Sequence, residues 1–564
     1  MGSTVKSPTL EICTTPLSSH YIERSGFAMN YYKKKLFATR CRTLLIGLSI
    51  LLTGCQSIPK SPHLTGLVIE QEPLTDAQVQ LIDANGKQLQ TTTDASGRYE
   101  FPLAGITAPL LLSAVSEGNA EDCTKNSILR PICMAAVIEK INPNQHQIGN
   151  INPLTDRIVS DLAVALGFIG PQQWVNSKKI GAFNPIQLHA AQNELRKGFK
   201  QALQLLDVRN RGSFNPATYS IQPDDKLIEL FSLIHHNRNY DNNTGETGHT
   251  TLADISFRPI VGLMPRGAYE PFDLLRAQQE LVQINNANRR IFIVGDSTSA
   301  VYEQLRFPRM GWGQAFEARF NQDSGIKVIT GSRAGRSSRD FFNGRWFAQM
   351  EPLIRAGDYV FINHGHNDQN CDSSKPIRGA ADVNNLCTYP NNSEGQPQFP
   401  NEQPELSFQH SLERYIKIAR ERGAIPVLFT PTTRIKNAQG QQTTPVVHSH
   451  VTKQNNKNGY LYTGDYTQTI KDTATANAVP LIDLEAASIQ FVNGLAANEW
   501  KHYWLVVDPA TNSFYANGAP GSIEAPDGTH FQKNGAEIIA TLVAQEIKQN
   551  RELIDLGGGV KIKP

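Results

Sequence analysis

From Arg290 onward the chain alternates short apolar runs with amphipathic segments, and this alternation constrains the fold more than any other feature of the sequence. The apolar runs are Ile291 to Val294, Lys327 to Thr330, Tyr359 to Asn363, Ile425 to Thr430 and Val479 to Leu484. Helical periodicity covers Gln314 to Phe320, Trp346 to Ala356, Phe408 to Arg422 and Tyr466 to Ala478, and a last helix spans Gly535 to Lys548. Continuously apolar strands separated by helices predict a parallel sheet covered on both faces, an α/β domain of three layers. In such a sheet the reactive groups lie beyond the carboxyl ends of the strands.

The whole chain has 564 residues, too many for one compact core, and its organisation reads as several segments. A formal net charge of +2 with 19% charged residues provides no field suited to nucleic acid. Residues 64–116 carry short alternating runs around Val79, Leu81, Tyr99 and Phe101, separated by Asn-Gly and Ser-Gly turns, and predict a small β-sandwich. "VQLIDANGKQLQTTTDASGRYEF" resembles the carboxypeptidase regulatory-like module, which in its family is a non-catalytic scaffold. Residues 117–286 read as a mainly helical linking region without an assigned role. Within it "HHNRNYDNNTGETGHTT" reads as a solvated loop, and His235, His236 and His249 lack the spacing of a metal site. The α/β domain then occupies 287–552, and 553–564 form a tail.

Residues 1–54 hold an extra N-terminal stretch followed by a basic cluster (Lys33, Lys34, Lys35, Arg40, Arg42) and a short apolar run from Leu44 to Leu52. The run is too short to span a bilayer, and with Leu-Thr-Gly-Cys at 52–55 it resembles a bacterial lipoprotein signal. That resemblance implies lipidation of Cys55, a linker at 55–63, and a protein anchored in the cell envelope. Gln56 rather than Asp after the cysteine implies the outer membrane. Export implies an oxidising compartment, and the four cysteines of the exported part fall into two local pairs, Cys123 with Cys133 and Cys371 with Cys387, expected as disulfides.

"IFIVGDSTSA" delivers Ser297 at the end of the first apolar run, on an expected sharp turn from strand to helix where a helix N-terminus favours developing negative charge. An alcohol needs a base, and the base needs a carboxylate to orient it. "APDGTHFQKNGAEIIA" offers His530 and Asp527, three residues apart in an expected loop before the last helix. A tetrahedral oxyanion needs preorganised donors. Asn367 in "YVFINHGHND" and Gly335 in "RAGRSSRDFF" each follow a strand and can supply them, alongside the Ser297 N–H.

The blocks GDSTS, AGRSSR, GHND and DGTHF resemble the SGNH (GDSL-like) hydrolases, and their wording is similar to the rhamnogalacturonan acetylesterase branch over about residues 288–550. The resemblance implies a flavodoxin-like three-layer domain, Ser297 as nucleophile, His530 as base and Asp527 as its orienting group. Ser297, Gly335 and Asn367 form the implied oxyanion hole. The implied reaction removes acetyl groups from a polysaccharide, pectin of the rhamnogalacturonan type, through an acetyl-serine, with no metal or organic cofactor. Thr330, Asn363 and His364 depart from the family wording. Long insertions follow GHND and Leu484; the second carries Trp500, Lys501, Tyr503 and Trp504, which can stack on sugars or pair with uronates. Three rivals stay open: a deacetylase of xylan or another envelope glycan, a non-catalytic glycan-binding surface lipoprotein, and a metal phosphoesterase using "HGHND" and the "HSH" of His448 to His450. Ser299 is the weaker nucleophile candidate.

Overall fold

A computed structural model of the chain describes residues 62–124, 131–180, 184–240, 247–260, 271–371, 386–396, 398–400, 402–453, 455–457 and 459–561. Cys55 and the basic and apolar run before it lie outside these residues. No helix among the described residues is long and apolar enough to cross a membrane.

The N-terminal part consists of two small sheets. One orders Arg98–Pro102, His63–Leu67 and Gln147–Ile148; the other orders Gln88–Thr92, Gln78–Ile82, Leu110–Ser116 and Ile132–Ile138. Alternation places Val79, Leu81, Tyr99 and Phe101 inside one apolar cluster with Leu64, Leu112 and Met134. This unit extends past the expected boundary at 116. Ile132–Ile138 pairs along the whole of Leu110–Ser116, and the Cys123–Cys133 disulfide ties the intervening segment to it.

Residues 117–286 combine helices with the strands Ile132–Ile138, Gln147–Ile148, Ile234–Tyr240 and Thr247–Asp254, and Pro153–Ala165 is opened by a capping box in which Asn152 and Thr155 satisfy each other's backbone N–H. The expected solvated loop is instead an antiparallel hairpin, Ile234–Tyr240 with Thr247–Asp254. Its buried residues His236, Arg238 and Thr250 converge on one carboxylate. Asp156, fully buried, accepts from Arg238 Nη2 at 2.5 Å, Thr250 Oγ1 at 2.5 Å and the Ala135 N–H at 2.8 Å, and His236 Nε2 lies 2.9 Å away. Burial alone would raise the Asp156 pKa, but Arg238 and His236 outweigh it and hold the carboxyl well below its usual range. His235 stacks on Phe257 at 3.9 Å between ring centroids, so the histidines here are packing and pairing groups.

The central sheet is parallel. Its five strands are Arg289–Gly295, Ile326–Thr330, Tyr359–Asn363, Ile425–Phe429 and Leu481–Ile482, in the spatial order second, first, third, fourth, fifth. This is the flavodoxin-like order, with its switch point between first and third strands. Ile291, Ile293, Tyr359, Phe361, Val427 and Phe429 face Trp312, Phe316 and the long helix Lys533–Gln549. Phe292, Val294, Val360, Ile362 and Leu428 face the opposite way, beneath helices Phe408–Glu421 and Tyr466–Asn477. That second cluster continues without a break into Leu67, Leu154, Trp174, Phe231 and Leu252 of the N-terminal segments. The expected linking region therefore completes the core.

Candidate active site

The first strand ends at Gly295, where a side chain would meet the Asn363 carbonyl oxygen at 2.5 Å and Ser299 Oγ at 2.7 Å. Only glycine lets two strand ends approach so closely. Asp296 then folds the chain back, its Oδ1 accepting from the Thr298 N–H at 2.9 Å and the Thr298 hydroxyl at 2.8 Å. This turn replaces the helix expected directly after Ser297; the next α-helix starts at Trp312. The Ser297 carbonyl accepts from Tyr302 Oη at 2.7 Å, and Tyr302 Oη in turn accepts from Arg309 Nη2 at 3.1 Å.

Ser297 Oγ lies 2.8 Å from His530 Nε2, and His530 Nδ1 lies 2.6 Å from Asp527 Oδ2. A carboxylate on Nδ1 fixes the tautomer, so Nε2 accepts the serine proton. Asp527 and His530 sit on a short strand, Asp527–Phe531, paired with Trp504–Leu505 rather than in a loop. Asp527 Oδ1 also accepts the N–H groups of Thr529 and His530 at 2.9 and 3.2 Å, which fixes the carboxylate relative to the ring. Burial lowers the His530 pKa, and Arg309 lowers it further against the opposing pull of Asp527. For Asp527 the contacts with His530 overcome burial and keep the carboxyl ionised.

Gly335 follows the second strand with φ +75°, a conformation side chains rarely adopt. Asn367 follows the third strand and donates Nδ2–H to the Arg336 carbonyl at 3.3 Å, so the two donor-bearing segments sit side by side. The next residue, Asp368, was not singled out from the sequence. Its Oδ1 accepts both the N–H and the hydroxyl of Ser338 at 2.7 Å, mooring helix Ser338–Asn343 to the third strand. Burial pushes the Asp368 carboxyl up to about 7 and that of Asp296 up to about 6. The signal for both was present, an Asp beside each motif residue, but nothing local revealed its depth.

Ser299 is fully buried, with its hydroxyl on Ser332 Oγ at 2.8 Å. Trp500 and Trp504 are 1% and 0% exposed and belong to the core, so the expectation that they meet sugar is corrected. Trp504 packs edge-on against Phe531, next to His530, and supports the strand from within. Tyr503 is half-buried against Phe491, while Lys501 is exposed. The same insertion clasps the loop after Ser297, Asn512 Nδ2 donating to the Leu305 carbonyl at 3.2 Å and Tyr515 Oη to the Arg306 carbonyl at 2.5 Å. Both expected disulfides are formed, and Cys371–Cys387 sits in its own apolar cluster with Tyr389, Leu406 and Tyr462.

A serine, an imidazole and a carboxylate in one hydrogen-bonded line at the edge of a parallel sheet define a hydrolase that works by nucleophilic acyl transfer. Residues 291–543 match the family GDSL-like Lipase/Acylhydrolase, and this part of the chain is a GDSL/SGNH hydrolase domain. The chain is 27% identical over 260 residues to the rhamnogalacturonan acetylesterase RhgT of Bacillus subtilis (strain 168), covering 46% of this chain and 90% of that protein. A probable rhamnogalacturonan acetylesterase of the same organism, YesY, is 27% identical over 261 residues, covering 46% and 92%. Among solved structures, the Bacillus subtilis protein YXIM aligns at 22% identity and a TM-score of 0.30, over 47% of this chain and 57% of that one.

Proposed function

We propose that this protein removes acetyl groups from a polysaccharide of the pectin class, with rhamnogalacturonan as substrate, through an acetyl-serine intermediate. The observation that carries the chemistry is the line from Ser297 Oγ through His530 to Asp527, with separations of 2.8 and 2.6 Å. His530 Nε2 takes the Ser297 proton as Oγ attacks the acetyl carbonyl, and the imidazolium is stabilised by Asp527. The oxyanion is met by the N–H groups of Ser297 and Gly335 and by the Asn367 amide, donors worth about 3 kcal/mol each in such sites. The sugar hydroxyl departs with the proton from His530. Water then enters, is deprotonated by the same ring, and releases acetate.

The polysaccharide assignment is supported by the two Bacillus relatives, each matched over nine-tenths or more of its length. The N-terminal sheets act in this reading as a non-catalytic scaffold of the carboxypeptidase regulatory-like type. We also propose that Cys55 carries the lipid anchor and that the enzyme resides at the outer membrane; a Cys55→Ala chain is then expected in the soluble rather than the membrane fraction. The test of function is acetate release from acetylated rhamnogalacturonan, homogalacturonan and xylan. Release from rhamnogalacturonan that is absent with Ser297→Ala supports the reading, and release from xylan alone overturns the substrate.

A further inference from the structure

The rival reading in which His448 and His450 hold metal drew on residues that lie outside the Ser297 line, yet the fold brings these residues together. Both histidines lie in the segment following the fourth strand, and Glu485 lies in the first turn of helix Leu484–Asn493. His448 Nδ1 is 2.7 Å from Glu485 Oε2, and His450 Nδ1 is 2.5 Å from Glu485 Oε1. One ligand atom from each of the three lies within 4.8 Å of the others, and no second such group occurs among the described residues. Glu485 is held from behind, its N–H donating to Thr430 Oγ1 at 2.9 Å.

The outward nitrogens of both rings are engaged in the manner of metal ligands. His448 Nε2 faces Asp465 Oδ1 at 3.3 Å, and His450 Nε2 faces His366 Nδ1 at 3.2 Å. His366 Nε2 in turn meets Thr432 Oγ1 at 3.1 Å. A ring nitrogen that donates outward leaves its other nitrogen deprotonated and directed inward, and a carboxylate behind the ring increases its basicity. With Nε2–H on His448, His450 and His366 every outer contact is satisfied and both Nδ1 atoms are free to ligate an ion; without one, protons on Nδ1 fill the 2.7 and 2.5 Å contacts with Glu485. A divalent ion between the two rings and the carboxylate would take the place of those protons. His450 and Glu485 are buried, and His448 is 36% exposed, which gives an ion and a water ligand a way in.

We propose that His448, His450 and Glu485 bind one divalent transition metal ion of the zinc type, with Asp465 and His366 orienting the two imidazoles. Two nitrogens and one carboxylate oxygen suit zinc or cobalt in a four-coordinate shell completed by water, and they do not suit calcium or magnesium, which take oxygen ligands. The ion clamps the segment after the fourth strand to the helix after the fifth, and through His366 it reaches the residue beside Asn367. It does not depend on the proposed esterase reading.

The test uses the untagged full chain, stripped with chelator and titrated with cobalt(II) and then zinc(II). One equivalent of cobalt is expected to bind with the visible absorption of a four-coordinate N/O site, to be displaced by zinc, and to raise the unfolding midpoint. His448→Ala, at a partly exposed position, is expected to abolish the absorption while circular dichroism stays that of the parent. Asp465→Asn should keep the stoichiometry and weaken affinity by about 10–100-fold. Absence of stoichiometric binding at micromolar metal, or binding unchanged in His448→Ala, overturns the site.

Discussion

At the scale of single residues, two serines two positions apart have opposite environments. Ser297 Oγ meets a histidine, and Ser299 Oγ is used up inside the protein on Ser332. Ser297→Ala is expected to abolish acetate release with no loss of fold. Ser299→Ala should retain activity and cost about 1 kcal/mol in urea unfolding, the usual worth of one buried hydrogen bond. The proton-accepting form of His530 is the neutral ring, and its pKa is set below the ordinary 6.5 first by burial and then by Arg309. The acid limb of kcat/KM therefore lies below pH 6.5. Arg309→Gln removes a positive charge, makes the imidazolium easier to form, and should move that limb upward; a limb that moves down or stays fixed contradicts the electrostatic account.

At the scale of elements, Asp368 joins the third strand to the short helix after Gly335. Asp368→Ala deprives the Ser338 N–H and hydroxyl of their acceptor, a charge-assisted pair worth about 1.5–3 kcal/mol. Because Gly335 and Asn367 flank this joint, kcat should fall about tenfold or more while KM changes little. The same carboxyl has a pH signature. Asp368 and Asp296 titrate near 7 and 6 in the fold against 3.8 for an ordinary Asp, so between about pH 4 and 7 the native state holds more protons than the unfolded one. Stability conferred by these groups is then greatest at the acid end of that window and declines as pH rises through it. Asp368→Asn should flatten this decline in denaturation midpoints measured across the window.

These elements differ in how plainly they were written in the sequence. The strands are legible because both faces are buried and each reads as a continuous apolar run. Ser297, Asp527 and His530 stand out because their types and order are scarce outside nucleophilic sites. Depth was the hidden quantity. An aromatic pair such as Trp500 and Trp504 reads the same whether it faces solvent or core, and the hairpin at 234–254 reads as solvated because its burial depends on Asp156, some 80 residues earlier. The turn after Asp296 reads equally as a helix start, since Gly-Asp-Ser serves either purpose.

At the scale of the whole molecule, the N-terminal segments and the catalytic sheet share one apolar cluster and several polar ties. Asn237 Nδ2 donates to the Gly344 carbonyl at 2.6 Å, Gln349 Nε2 to the His236 carbonyl at 2.6 Å, and Arg345 pairs with Glu117. Asp156→Ala would leave Arg238 and His236 buried without their shared carboxylate, a change that costs about 3–5 kcal/mol in comparable sites. Urea unfolding of the full chain should register that loss in the hydrolase signal as well as in the N-terminal one. Independent transitions would show the two parts to be energetically separate.

That continuous cluster also bears on inheritance. A recombination that carried only residues 287–561 into another gene would transfer the serine, histidine and aspartate but leave the cluster without its N-terminal partners, Leu67, Leu154, Trp174, Phe231 and Leu252. The N-terminal half is thus joined to the catalytic segment by packing, and changes on either side of the seam are expected to be answered by compensating changes across it.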